Sequence, residues 1–126
     1  MISFDDFKTE DGSPIYLQII RHVKRGVVAG TVADGDELPS RRMLSALLGV
    51  NPNTVQKAYR MLEEEGLVQS RAGAISCIAL DAETASRIRR ELTEYETRRF
   101  AAAMRGMGLT KEEAAARLEE IWGEQS

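Results

Sequence analysis

A mainly helical chain with one small two-stranded sheet is what this sequence predicts, and three observations predict it. Five stretches space apolar residues at i, i+3, i+4 and i+7, the repeat of one helix face. Most open on a capping residue and close near a glycine. Two short apolar runs after Gly66, joined around Arg71, Ala72 and Gly73, read as a hairpin. At 126 residues and 43% apolar content there is enough for one modest core, or for a small domain with an appendage.

Taken in order, residues up to Gly12 form a polar arm. It is either a partly ordered terminus or a strip whose Ile2, Phe4 and Phe7 cover a neighbouring surface, such as that of a second subunit. Ser13 then caps a helix with Pro14 in its first position, where a missing N–H is harmless. Tyr16, Ile19, Ile20, Val23, Val27 and Val28 give its buried stripe, and it ends near Gly30. Arg21, Lys24 and Arg25 lie off that stripe, on a solvated face or, alternatively, toward DNA backbone. From Thr31 to Leu38, with Asp34, Gly35 and Asp36, the chain turns into a short extended run.

The stretch from Leu38 to Gly66, LPSRRMLSALLGVNPNTVQKAYRMLEEEG, contains two helices separated by a turn. Ser40 caps the first, which buries Met43, Leu44, Leu47 and Leu48 and stops at Gly49, while Ser45 is the small residue that lets a second helix approach. Asn51 caps the second, with Pro52 in its first position, and its apolar face is Val55, Ala58, Tyr59 and Leu62. At about 100° per residue, Asn53, Lys57 and Arg60 fall on the opposite face, with Thr54 and Gln56 beside them. After Gly66, Leu67 to Ser70 and Ala74 to Leu80 are the strands of a wing.

A long helix follows from Asp81, without Gly or Pro before Gly106. Ala85, Ile88, Leu92, Tyr95, Ala102 and Ala103 make its stripe, with Phe100 and Met104 on the shoulder and Arg99 interrupting it. Gly106 and Gly108 bracket a break. Thr110 to Glu113 is a capping box opening the last helix, striped by Ala114, Leu118, Ile121 and Trp122. The fold class is thus a winged helix-turn-helix over residues 1–80, followed by a two-helix tail over 81–126. Two amphipathic helices beyond a completed winged helix lack a surface of their own to bury against, so the tail is expected to dimerise through Ile88, Leu92, Tyr95, Phe100, Leu118, Ile121 and Trp122, the alternative being that it packs back on its own subunit.

An exposed helix start offering amides, a hydroxyl and cations suits the major groove, where base edges demand donors and acceptors and phosphates demand positive charge. Between Leu38 and Leu62 stand Arg41, Arg42, Lys57 and Arg60 and no acid, in a chain whose net charge is -3. The expected partner is double-stranded DNA.

That run, with SPIYLQIIRHVKRGVVAGTVADGDELPS before it, closely resembles the DNA-binding domain of the GntR family of bacterial transcription regulators. The string NPNTVQKAY and the short tail resemble the YtrA subfamily. The resemblance covers Ser13 to about Leu80, and the tail only by length and helical character. It implies a dimeric winged-helix regulator, usually a repressor, that reads a near-palindromic operator. It also implies that Arg42, in the Pro-Ser-x-Arg motif, holds phosphate or base, and that Asn51, Asn53, Thr54 and Lys57 are recognition-helix contacts. Ser40, Arg41, Gln56, Arg60, Arg71 and Gly73 complete the expected DNA-binding set. The wing departs from the family pattern: where relatives carry a basic residue and a second glycine, this chain has Ala74 and Ile75, and only Arg71 keeps the charge.

Other classes find little support. No phosphate loop, nucleophile elbow or paired histidines are present, so an enzyme is not expected. The acids in EEEG and KEEAAARLEE read as solvated helix faces. Cys77, between Ile75, Ile78 and Leu80, is read as an inert strand residue, and His22 has no soft-ligand partner but Cys77, so no metal or cofactor is expected. No stretch approaches the ~20 apolar residues of a membrane span, and the expected location is the cytoplasm. An effector pocket would have to be small, shared between subunits or absent. The rival reading is a winged helix used for protein–protein interaction without specific DNA binding.

Overall fold

The computed structural model describes residues 1–10, 12–71 and 75–124. It contains α1 (Ile15–Ala29), α2 (Arg41–Leu48), α3 (Pro52–Glu64), β1 (Val68–Arg71), β2 (Ile75–Ile78), α4 (Ala82–Gly106) and α5 (Lys111–Trp122). The chain divides into two compact units, Met1–Leu92 and Thr93–Ser126.

In the first unit α1 and α2 both pack on α3. The α1 cap differs from expectation: Pro14 is the cap residue itself, and the Ser13 hydroxyl accepts from Arg21 Nη2 at 3.0 Å instead of from the backbone. Ile19, Ile20, Val23 and Val27 are buried as the spacing predicts, joined by Gln18, whose amide is consumed by the backbone of Glu10 and Ser13. Gly26 is where the chain after α1 folds back, since a Cβ there would stand 2.4 Å from Val32 Cγ2.

In α2 the Ser40 hydroxyl accepts from Met43 N at 3.1 Å and Gly49 ends the helix with φ +67°, a left-handed conformation glycine adopts without strain. Leu44 is buried, but Met43 and Leu47, predicted to be buried with it, are 51% and 58% exposed. An eight-residue helix presents only a narrow strip to its neighbour. Leu44, Ser45 and half-buried Leu48 occupy that strip, and Met43 and Leu47 lie one residue, about 100°, around from it. Ser45 Oγ donates to Val50 O at 2.6 Å, closing the turn while leaving room for α3.

α3 follows the sequence reading closely, burying Val55, Ala58, Tyr59 and Leu62. β1 and β2 pair antiparallel, from Val68↔Ile78 to Arg71↔Ile75. The extended run before α2 lies along β2: Ile78 N donates to Asp36 O and Leu38 N to Ser76 O, at 2.8 and 2.9 Å. Its outer side takes the N-terminal arm, with Ile2 N donating to Glu37 O at 2.8 Å. Ile2 and Phe4 join the core of their own chain, and Phe4 stacks on His22 with ring centroids 4.4 Å apart. The arm is therefore neither loose nor directed to a second subunit at these residues, because its apolar side chains complete the α1 surface.

The beginning of α4 closes the first unit: Ile88 is 1% exposed within the core cluster, and Leu92 is also buried. In the second unit, Thr110 and Glu113 form the expected reciprocal capping box, with N···O distances of 2.9 and 3.1 Å. Ala114 is buried there.

Candidate nucleic-acid interface

The start of α3 stands clear of the core. Asn51 Oδ1 accepts from Asn53 N at 2.8 Å, satisfying a helix-terminal donor that otherwise has no partner. Its side-chain carbonyl is thus occupied in building the helix start. Asn53, Gln56, Lys57 and Arg60 are exposed and Thr54 half-buried, which gathers hydroxyl, amide and cationic groups on one surface. Arg42, on α2, is also exposed. Ser40, like Asn51, has its side-chain oxygen engaged in a cap.

The four expected cations of this stretch occupy different environments. Lys57 Nζ sits 4.0 Å from the centroid of Tyr16, a cation–π contact made by the ammonium itself on a residue that remains exposed. Arg60 Nε lies 3.7 Å from Glu64 Oε1 one turn on; both side chains are more than half exposed, so the pair is weak and readily exchanged for phosphate. Arg41 is different. Its guanidinium lies 5.5 Å from the Tyr59 ring centroid and bonds Glu63 Oε1 at 3.3 Å, with only a third of the side chain exposed. The structure therefore gives Arg41, expected to bind DNA, an internal role in holding α2 to α3. Arg71 is exposed at the outer end of β1, whereas Gly73 lies outside the described residues.

Beneath this surface, the buried Tyr59 hydroxyl donates to Pro39 O at 2.6 Å, tying α3 to the residue before the Ser40 cap. Burial pushes the Tyr59 phenol well above its ordinary value, and the nearby Arg41 charge opposes that more weakly.

The acids at the end of α3 were expected to be a solvated face, and Glu64 and Glu65 are exposed while Glu63 is half-buried. Each also has a cationic partner that the sequence did not reveal: Arg41 in α2 for Glu63, Arg60 in α3 for Glu64 and, at 2.8 Å, Lys24 in α1 for Glu65. Carboxylates at a helix C-terminus oppose the helix dipole, and a cation beside each offsets that cost. Lys24, expected on a solvated face, is 15% exposed as a result. The absence of any acid from Leu38 to Leu62, followed at once by three, was the available sequence signal.

Of the residues expected to dimerise, Ile88 and Leu92 are buried within the first unit. Their apolar surface is already covered by their own chain, so neither offers a partner much surface. Tyr95 and Phe100 are half-buried, while Leu118, Ile121 and Trp122 are 42%, 58% and 79% exposed on α5.

Comparison with known proteins matches residues 15–74 to the family described as bacterial regulatory proteins, gntR family. The uncharacterized HTH-type transcriptional regulator YhcF of Bacillus subtilis is 37% identical over 108 residues, covering 86% of this chain and 89% of that protein. The HTH-type transcriptional repressor YtrA of the same organism is 43% identical over 72 residues, covering 57% of this chain and 55% of that protein. A solved GntR family transcriptional regulator from Listeria monocytogenes superposes with a TM-score of 0.75 at 31% identity, covering 90% of this chain and 99% of that one.

Proposed function

The chain belongs to the gntR family of bacterial regulatory proteins, and within it to the YtrA subfamily, and from that premise we propose that it is a homodimeric repressor reading a near-palindromic operator with two copies of α3. As a member of the family it is a DNA-binding transcription regulator and not an enzyme. The observation that carries the finer reading is the start of α3: a capped helix end with Asn53, Gln56, Lys57 and Arg60 exposed on an acid-free stretch. Asn53 and Gln56 suit base edges, while Arg42, Lys57, Arg60 and Arg71 suit phosphates.

Dimerisation is supported by α5, where Leu118, Ile121 and Trp122 leave one helix end with a largely apolar exposed surface. Joining two winged helices makes the second half-site encounter intramolecular, which raises avidity by roughly 10² to 10⁴ without another DNA contact. The two α3 helices would then enter major grooves about one helical turn apart, or a multiple of it. The repressor assignment follows the relative named a repressor. No helix among the described residues is long and apolar enough to cross a membrane, and a cytoplasmic location follows from the DNA-binding role.

The test is selection of bound duplexes from random DNA by the full chain, with sedimentation of the full chain and of Ile121→Glu. The expected result is a two-fold symmetric site, a dimeric full chain and a monomeric variant with much weakened binding. A monomer that binds one unsymmetric site tightly would overturn the proposal. Binding only without sequence preference would favour a protein-interaction module instead.

A further inference from the structure

Of the three acids closing α3, Glu63 bonds two neighbouring elements at once. Glu65 reaches α1 and Glu64 pairs within α3, whereas Glu63 Oε1 accepts from Arg41 Nη2 at 3.3 Å and from Ser70 Oγ at 3.4 Å. Arg41 is the first residue of α2 and Ser70 lies in β1, next to Arg71. One carboxylate oxygen thus joins the start of the first helix of the helix-turn-helix, the end of the second and the wing.

The inner end of the hairpin has other anchors. Leu67 N donates to Leu62 O, Leu38 N to Ser76 O and Ile78 N to Asp36 O, all at 3.0 Å or less. These bonds fix where the strands leave the body but lie inward of Arg71, which stands three residues beyond Val68 at the outer end of β1. Ser76, the register partner of Ser70, is the outermost of these anchored positions, and at the same level Ser70 is tied to α3 by its side chain. Arg41 in turn is held over the Tyr59 ring, so the carboxylate is fixed from a partly buried side.

We propose that Glu63 is a positioning residue for the wing: it holds Ser70 against α3, and so places Arg71 on the DNA phosphate that the α3 surface has brought within reach. The proposal rests on the DNA-binding role of α3 and adds to it a coupling between two residues that act on different partners. If Glu63 places Arg71, the value of Arg71 depends on Glu63. A merely structural role for Glu63 would instead lower the amount of active protein and leave the effect of Arg71 unchanged.

The experiment measures binding of the full chain to a duplex selected by the wild type, over a range of salt, for Arg71→Ala in four backgrounds: wild type, Glu63→Gln, Glu63→Ala and Ser70→Ala. Glutamine removes the charge yet keeps an oxygen acceptor, so it separates a positional effect from the simple loss of a negative charge near DNA. In the wild type and in Glu63→Gln, Arg71→Ala should flatten the salt slope by about one phosphate contact. In Glu63→Ala and Ser70→Ala it should change the slope little, because the contact is already lost. Ser70 is exposed, so its variant keeps the test decisive if Glu63→Ala fails to fold. An equal effect of Arg71→Ala in all four backgrounds, or no effect in the wild type, overturns the positioning role. A wild type that selects no duplex would instead sink the reading of α3, before any variant is compared.

Discussion

Replacing Tyr59 with Phe removes one hydroxyl from a buried junction beneath the proposed DNA-facing surface. The ring is 1% exposed and its OH donates to Pro39 O at 2.6 Å, across 20 residues of chain. Phenylalanine fills the same space, so the loss is that hydrogen bond plus a buried carbonyl left without this donor, about 1 to 3 kcal/mol. The pH dependence is specific as well. The folded state holds the phenol proton more tightly than the unfolded chain, where the group titrates near 10.0. Below that value both states are protonated and the full contribution is present. Above it the unfolded state releases its proton first, so stability falls as pH rises, by up to about 1.4 kcal/mol per pH unit until the folded state titrates too. Phe cannot release a proton, so the gap between wild type and Tyr59→Phe should be constant from pH 7 to 9 and shrink above 10. Urea unfolding followed by helical circular dichroism, at one fixed protein concentration because a dimer is proposed, gives both quantities. Equal midpoints at pH 7, or a gap that does not narrow at high pH, would refute the assignment of Tyr59 as a buried donor.

Two further substitutions separate reading from anchoring. Asn53→Ala should relax base preference at one position of each half-site, by about 1 to 3 kcal/mol, whereas Arg42→Ala should weaken all sites alike; duplex selection with each variant distinguishes them, and an unchanged selected site for Asn53→Ala would remove it from the base contacts. Gly26→Ala should lower the thermal midpoint, since the new methyl meets Val32 Cγ2 at 2.4 Å and overpacking costs about 1 to 3 kcal/mol. Val32→Ala in that background should recover part of the loss, and a midpoint equal to wild type for Gly26→Ala alone would contradict the close approach.

The helix-turn-helix was legible because its signals are local: Ser40 and Asn51 cap their own helices, Gly49 ends one, and the α3 stripe is a single periodicity. What the sequence obscured depends on which neighbour a residue meets. Met43 and Leu47 are apolar at helical spacing, but spacing does not say how wide a strip a two-turn helix buries. Arg41 and Arg42 are adjacent and chemically identical, and only the position of Tyr59 and Glu63 turns one inward and leaves the other exposed. Ile88 and Ile121 both lie on apolar stripes of the tail, yet Ile88 is covered by the first unit and Ile121 is 58% exposed. Composition alone cannot tell a core contact from an unpartnered face.

The pairing of acids with cations also determines how an acidic chain can bind a polyanion, and it fixes a measurable number. If every basic residue near the helix-turn-helix met phosphate, Lys24, Arg41, Arg42, Lys57, Arg60 and Arg71 would each displace a counterion. We propose that two of them are withheld: Lys24 is held at 2.8 Å by Glu65, and Arg41 by Glu63 and the Tyr59 ring, both with most of their surface covered. Among the described residues Lys57 is held by a ring face alone, and the Arg60–Glu64 pair is loose enough for a phosphate to replace the carboxylate. Arg42, Lys57, Arg60 and Arg71 therefore remain, about eight cations in the proposed dimer, and the logarithm of affinity should fall with the logarithm of salt with a slope no steeper than about −7. All six cations acting in both subunits would give about −11. Glu65→Gln tests the same logic from the other side. It releases Lys24, so if the acid had been withholding that charge from DNA the slope should steepen toward the larger value, whereas an unchanged slope would mean that Lys24 faces away from the duplex. A wild-type slope near −11 would show that the ion pairs at the end of α3 open on binding, and would place Arg41 among the DNA contacts despite its internal partners.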